Sequence, residues 1–106
     1  MCGIIGYSGP FDHGRLRSGL TAIEHRGPDD CGDFLDSGAG VGLGHSRLSI
    51  LDVSPLGHQP MVSNDGKVIL VYNGELYNFR ELRADLEDEG YAFHGGSDTE
   101  VLLNLY

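Results

Sequence analysis

Hydrophobic positions along this chain switch between a period of two and a period near 3.6. "CGIIGY" at residues 2–7 reads as a short buried strand. "LRSGLTAIEH" sets Leu16, Leu20 and Ile23 on one helical face. That helix should stop at "HRGPDD", where Gly27 and Pro28 break it. "GDFL" and "VGLGHSRL" predict two further strands, the second rich in glycine and so packed close to another backbone. Beyond the loop "DVSPLGHQP", "NDGKVILVYNG" predicts a turn and then a nearly continuous apolar strand buried on both faces.

"NFRELRADLEDEG" carries the clearest helical signal. Asn78 is placed to cap it, Glu81 stands at the capping-box partner position and Gly90 ends it. Phe79, Leu82 and Leu86 form its inner stripe, while Asp85, Glu87, Asp88 and Glu89 make a solvated face. "YAFH" reads as a short strand. "SDTEVLLNLY" opens a last helix with Ser97 and Glu100 as a capping box. It has a start signal and no stop signal, and Val101, Leu102, Leu103 and Leu105 still need a surface to cover. The expectation is a piece of a longer chain.

At 106 residues the chain suits one small domain with a single core. Its 17 glycines argue against a helical bundle and for short strands and tight turns. Sixteen acidic residues against seven basic ones give a net charge of −9, the wrong sign for a nucleic-acid partner. There is no apolar run long enough to span a membrane and no secretory signal, so the expected setting is cytoplasmic. Two cysteines, Cys2 and Cys31, imply no disulfide framework.

Two apparent motifs fail on spacing. "GAGVGLG" lacks the third glycine of a dinucleotide fingerprint, because Leu43 or His45 occupies that position. It is better read as a close-packed strand. The cysteines and His13, His25, His45, His58 and His94 never fall at a paired metal-ligand spacing, so no metal site is expected.

One constellation holds together. Cys2 is an odd place for a thiol that merely packs a core, since chain ends fray. Either it is an ordinary strand residue, or loss of Met1 couples its thiol to a free α-amine. That amine has a reference pKa near 8 and could take the thiol proton. The nucleophile would then carry its own base, as in N-terminal threonine enzymes. A thiolate attacking an amide also needs donors for the developing oxyanion. In "VYNGELYN", Asn73 offers a side-chain amide and Gly74 an unshielded backbone N–H. Taken alone, an Asn-Gly pair after a strand is also just a turn.

The blocks "MCGIIGY", "HRGPDD", "GHSRLSILD", "GHQPM", "YNGELYNFRELR" and "GSDTEVLL" occur in one order across nearly the whole chain. In them the sequence resembles the N-terminal glutaminase domain of asparagine synthetases, which are class II glutamine amidotransferases. The resemblance implies that Cys2 attacks the side-chain amide of glutamine, releasing ammonia and forming a thioester that water cleaves to glutamate. It implies Asn73 and Gly74 as the oxyanion hole. Arg47 would hold the α-carboxylate, for which a guanidinium fork is suited. Asp98 and Glu75 would take the α-ammonium, and the backbone at Leu51 would add a contact. His25 and Arg26 would support the pocket without touching substrate. On the residues alone, Arg47 could equally be a structural ion pair and Asp98 a helix cap. Cys31 is read as structural or incidental.

The implied fold is α+β, an N-terminal nucleophile hydrolase sandwich of two antiparallel sheets between helices. The family's domain is about twice this length, in the usual domain range. Residues 1–106 are therefore expected to be its first part, with its remainder and the synthetase domain absent. That second domain of the same parent chain would use ATP and magnesium to make asparagine from aspartate, whereas the glutaminase half needs no cofactor. Unpaired edges and the exposed helix stripe lead us to expect self-association or an incomplete fold in the isolated piece. A retained Met1 would lock the proposed base in a peptide bond. The competing readings are a non-catalytic glutaminase-like module and an amidotransferase with another acceptor.

Overall fold

The computed structural model describes residues 2–10, 12–49 and 54–106. Strand β1 (Gly3–Ser8) alternates inward Gly3, Ile5 and Tyr7 with more exposed Ile4, Gly6 and Ser8. Helix α1 (His13–Ile23) follows, capped by Asp12, whose Oδ1 accepts the Arg15 N–H at 2.9 Å. Its Leu16 and Leu20 are buried, as the apolar stripe requires. A 3₁₀ turn at Glu24–Arg26 ends at Gly27, and the chain then enters strand β2 (Asp30–Asp36) and strand β3 (Val41–Arg47). The three strands form one antiparallel sheet in the order β1-β3-β2, with α1 packed on it.

The register pairs Gly3 with Ser46 and Tyr7 with Gly42 on one side, and Asp30 with Arg47 on the other. Glycines in β3 make this close fit. A Cβ on Gly44 would lie 2.8 Å from both Ile5 and Leu20, and one on Gly42 would enter the ring of Tyr7. The close-packed reading of "VGLGH" is thus borne out.

Past a second 3₁₀ turn at Pro55–Gly57 come two very short strands, β4 (Met61–Val62) and β5 (Ile69–Leu70), paired antiparallel. Here the structure departs from the expected long strand buried on both faces. Only Ile69 and Leu70 join a ladder, and Val68 through Tyr72 stay half-exposed, because among the described residues β5 pairs with β4 alone. Helix α2 (Phe79–Asp88) packs against helix α3 (Asp98–Leu105), and α3 against β4. Leu86, Met61, Val101 and Leu103 are buried there. The α+β class and the antiparallel sheets are as expected.

Local chemistry differs from the sequence reading in four places. Asn78 occupies the N-cap position of α2, but its side chain makes no cap bond. Gly90 does end that helix, at φ +98. "YAFH" is not a strand. It is held as a loop by the Asn64 Nδ2, which donates to the Ala92 carbonyl at 3.2 Å, and by Glu100. Ser97 caps α3 as expected by accepting the Glu100 N–H. The Glu100 carboxylate, however, accepts the N–H groups of His94 and Gly95 at 2.7 and 2.8 Å. The last-helix stripe is largely covered, since Val101 and Leu103 are buried and only Leu105 among the four is exposed. Among the described residues, no helix is long and apolar enough to cross a membrane.

Candidate active site

Where β1 and β3 meet the loop after β5, a cavity of about 350 Å³ opens, in the size range of small-molecule sites. Cys2, Arg47, Asn73, Gly74, Glu75 and Asp98 all line it. The register explains the first pair: with Gly3 opposite Ser46, Cys2 falls at the end of β3 beside Arg47 and Leu48. The Cys2 sulfur accepts the Leu48 N–H at 3.2 Å, and the thiol lies 3.6 Å from the Leu48 carbonyl that can accept its proton. The carbonyl of Cys2 is held twice, by Asn73 Nδ2 at 3.0 Å and by Arg26 Nε at 3.2 Å.

Arg47 is buried, and its Nη1 donates to the Ser54 carbonyl at 3.0 Å. Asp98, also buried, lies on α3 and lines the same cavity. Its Oδ2 accepts the Leu76 N–H at 2.8 Å, which fixes the chain just after Glu75. Asp98 thus ties down the loop carrying Asn73, Gly74 and Glu75. One cavity therefore holds a thiol, a buried cation and a buried anion. A zwitterion that carries a reactive group at the end of its side chain meets complementary partners there.

Gly74 stands close to Tyr72. A Cβ there would lie 2.9 Å from the Tyr72 hydroxyl, which also lines the cavity. Burial pushes the Tyr72 phenol pKa up, and the charges of Asp98 and Glu75 push it further, so the hydroxyl stays a neutral donor. His45, fully buried, has its pKa lowered by burial, with the Arg47 charge acting in the same direction. His25 and Arg26 are exposed; Arg26 reaches Cys2, while His25 does not line the cavity. Leu51 and Met1 lie outside the described residues.

Cys31 is exposed on β2, away from this cavity. Burial and the neighbouring Asp33 and Asp30 hold its thiol above the usual range. Among the described residues no group of three or more His, Cys, Asp or Glu could hold a metal ion. Sequence reasoning missed Gln59, Tyr72, Ser97 and Thr99 in the lining. Gln59 stood in the matching block "GHQPM", but nothing local marked it as part of a site.

Across residues 1–106 the chain matches the family model described as a glutamine amidotransferase domain. It is 51% identical over 84 residues to an asparagine synthetase (glutamine-hydrolyzing) of Bacillus subtilis, covering 79% of this chain and 13% of that one. A putative asparagine synthetase (glutamine-hydrolyzing) of Methanocaldococcus jannaschii is 41% identical over 127 residues, covering 100% of this chain and 24% of the relative. An amidase of Gibberella zeae is 46% identical over 91 residues, covering 86% and 13%. The chain spans between 13% and 24% of the length of these curated relatives.

Proposed function

The chain belongs to the glutamine amidotransferase domain family, and from that premise we propose that its cavity hydrolyses the side-chain amide of glutamine, with Cys2 as nucleophile. The observation that carries the reading is the convergence of Cys2, Asn73, Gly74, Arg47 and Asp98 on one cavity, although they are spread over almost the whole sequence.

Glutamine is a zwitterion with an amide at the far end of its side chain. Arg47 receives the α-carboxylate and Asp98, aided by Glu75, the α-ammonium. Loss of Met1 leaves the α-amine of Cys2 as base. It accepts the thiol proton, and the sulfur adds to the amide carbon. The resulting oxyanion accepts hydrogen bonds from the Gly74 N–H and from the second amide hydrogen of Asn73, the first being spent on the Cys2 carbonyl. Collapse breaks the C–N bond, and the leaving nitrogen takes the proton from the terminal ammonium and departs as ammonia. Water then adds to the thioester, releasing glutamate and restoring the thiol. Arg26, through its bond to the Cys2 carbonyl, holds the nucleophile's backbone in place.

The second part of the proposal concerns the fate of the ammonia. We propose that it passes to an ATP- and magnesium-dependent synthetase domain of the same parent chain with aspartate as acceptor; the support is that the relatives are named glutamine-hydrolyzing asparagine synthetases. The alternative is an amidotransferase with a different acceptor; the relatives are not all named asparagine synthetases, one being named an amidase.

The test is glutamate release from glutamine by the full-length protein that contains this chain, after intact mass has established that Met1 is gone. Cys2→Ala should abolish release. Equal activity in wild type and variant would sink the nucleophile assignment, and an inactive wild type lacking Met1 would favour a non-catalytic module.

A further inference from the structure

The segment carrying Asn73, Gly74 and Glu75 leaves its ladder early. Pairing between β4 and β5 stops at Leu70, three residues before Asn73. An extended segment beyond its sheet has unpaired backbone groups and nothing of its own to fix its direction. Yet an oxyanion donor works only when fixed to within a fraction of an ångström.

Both backbone polar groups of Tyr72, the residue just before Asn73, are met by buried side chains. The Tyr72 N–H donates to Gln59 Oε1 at 2.6 Å, and its carbonyl accepts from His45 Nε2 at 3.2 Å. Because a carbonyl only accepts, His45 is the Nε2–H tautomer. Among the described residues its Nδ1 has no partner, so the bond to Tyr72 is the ring's one polar contact with them. Gln59 has a second tie: its Nε2 donates to Thr99 Oγ1 at 3.3 Å, next to Asp98. Four residues past Tyr72, the Asp98 carboxylate holds the Leu76 N–H.

We propose that His45 and Gln59 are positioning residues that clamp the backbone of Tyr72 and thereby aim Asn73 and Gly74 at the oxyanion. The clamp joins β3, which ends in Arg47, to the Asn73–Glu75 segment and to the start of α3, which carries Asp98. It rests on the glutaminase reading above for its catalytic consequence, and on the hydrogen bonds alone for its structural one.

The two parts separate in one set of measurements on the full-length protein. The variants are His45→Leu, His45→Gln, Gln59→Met and wild type. Hydrogen–deuterium exchange over residues 72–76 reads the clamp directly. It should quicken at least tenfold in His45→Leu and Gln59→Met, with β1 and β3 unchanged. Since a misplacement of about 1 Å costs roughly 100-fold in rate, kcat for glutamine hydrolysis should fall about 10- to 100-fold. KM should rise by only a few-fold, less than kcat falls, because Arg47 and Asp98 remain in place and only the help of Glu75 at the α-ammonium is loosened with the oxyanion donors. Alkylation of Cys2 by iodoacetamide should be unchanged. His45→Gln keeps an N–H donor and should recover most of the rate, which a merely space-filling role for the ring would not predict. If His45→Leu does not fold, Gln59→Met carries the same test through the opposite group of Tyr72. Unchanged exchange at 72–76, an unchanged kcat, or a His45→Gln defect as deep as that of His45→Leu overturns the proposal. An inactive wild type overturns the glutaminase reading instead, while exchange still decides whether the clamp holds the segment.

Discussion

Replacing Gly27 by alanine isolates a contact that the "HRGPD" stretch makes with the backbone under the nucleophile. Gly27 has φ −153 and ψ 87, an extended conformation open to any residue, so its freedom is not what the position uses. Space is. A Cβ there would lie 2.5 Å from the carbonyl carbons of Ser46 and Arg47, both rigid backbone. The two segments would have to part by about 1 Å to regain ordinary contact. On one side of Gly27 is Arg26, whose Nε holds the Cys2 carbonyl at 3.2 Å; on the other is Asp29, whose N–H donates to the Arg47 carbonyl at 3.0 Å. The displacement therefore reaches both Cys2 and Arg47, the proposed nucleophile and the proposed carboxylate-binding cation.

Overpacking of this kind costs about 1–3 kcal/mol. A shift of about 1 Å at reacting groups costs up to roughly 100-fold in rate. Urea denaturation and steady-state glutamine hydrolysis measure the two effects, with Gly14→Ala as control. Gly14 lies in the first turn of α1, where an added Cβ meets only a carboxylate oxygen of Asp12 at 3.3 Å. Alanine there should leave the kinetics alone and change stability by no more than about 1 kcal/mol, the helix-propensity gain set against any shift of the capping Asp12 oxygen. Gly27→Ala should lose both stability and a 10- to 100-fold share of kcat/KM. Wild-type stability and kinetics in Gly27→Ala would refute the close-approach argument.

Arg47→Lys should raise KM for glutamine about 10- to 100-fold, since a charge-assisted fork worth about 1.5–3 kcal/mol is replaced by a point charge. An unchanged KM would remove Arg47 from the carboxylate site. His45 makes stability depend on pH: its folded pKa lies below the unfolded value, so the unfolded chain binds the proton more readily. Its contribution is complete above about pH 6.5 and is lost as pH falls below that value. Burial drives the shift, Arg47 and His58 reinforce it, and Asp30 together with the bond to the Tyr72 carbonyl opposes it. Urea midpoints from pH 8 to pH 5 should fall less steeply in His45→Gln than in wild type, and parallel slopes would count against the assignment.

The elements legible in the sequence are those whose signal is local. The stripe of Leu16 and Leu20, the cap at Ser97 and the stop at Gly90 each depend on residues within a turn or two, and each is found in place. "YAFH" shows why other readings fail. Its alternation suits a strand, but its backbone is claimed by Asn64, 28 residues away, and by the Glu100 carboxylate, so no ladder forms. Glu100 was assigned to its own helix cap and instead serves that loop. The site divides in the same way. Cys2, Asn73, Gly74, Arg47 and Asp98 stood out because their motifs advertise chemistry. Gln59 and His45 act on Tyr72 from 13 and 27 positions away, a relation that no local pattern encodes.

Register is where the unremarkable part of the sequence determines the active part. Side chains on a strand alternate between faces, so a slip of one residue in β1 would turn the Cys2 thiol away from Arg47. What forbids the slip is the run "VGLGH". In the observed register Ile5 and Tyr7 lie against Gly44 and Gly42, and each fills the space a Cβ would take. Shifted one way they would meet His45 and Leu43; shifted the other way, Leu43 and Val41. Either shift sets side chain against side chain where the sheet now has none. Gly44 also admits Leu20 of α1, so the helix adds to the lock at that pair. The stretch that fails as a nucleotide-binding fingerprint thus has a structural reason for its spacing. It sets the one alignment of β1 on β3 that brings the thiol at the chain's beginning to the cation at the end of β3.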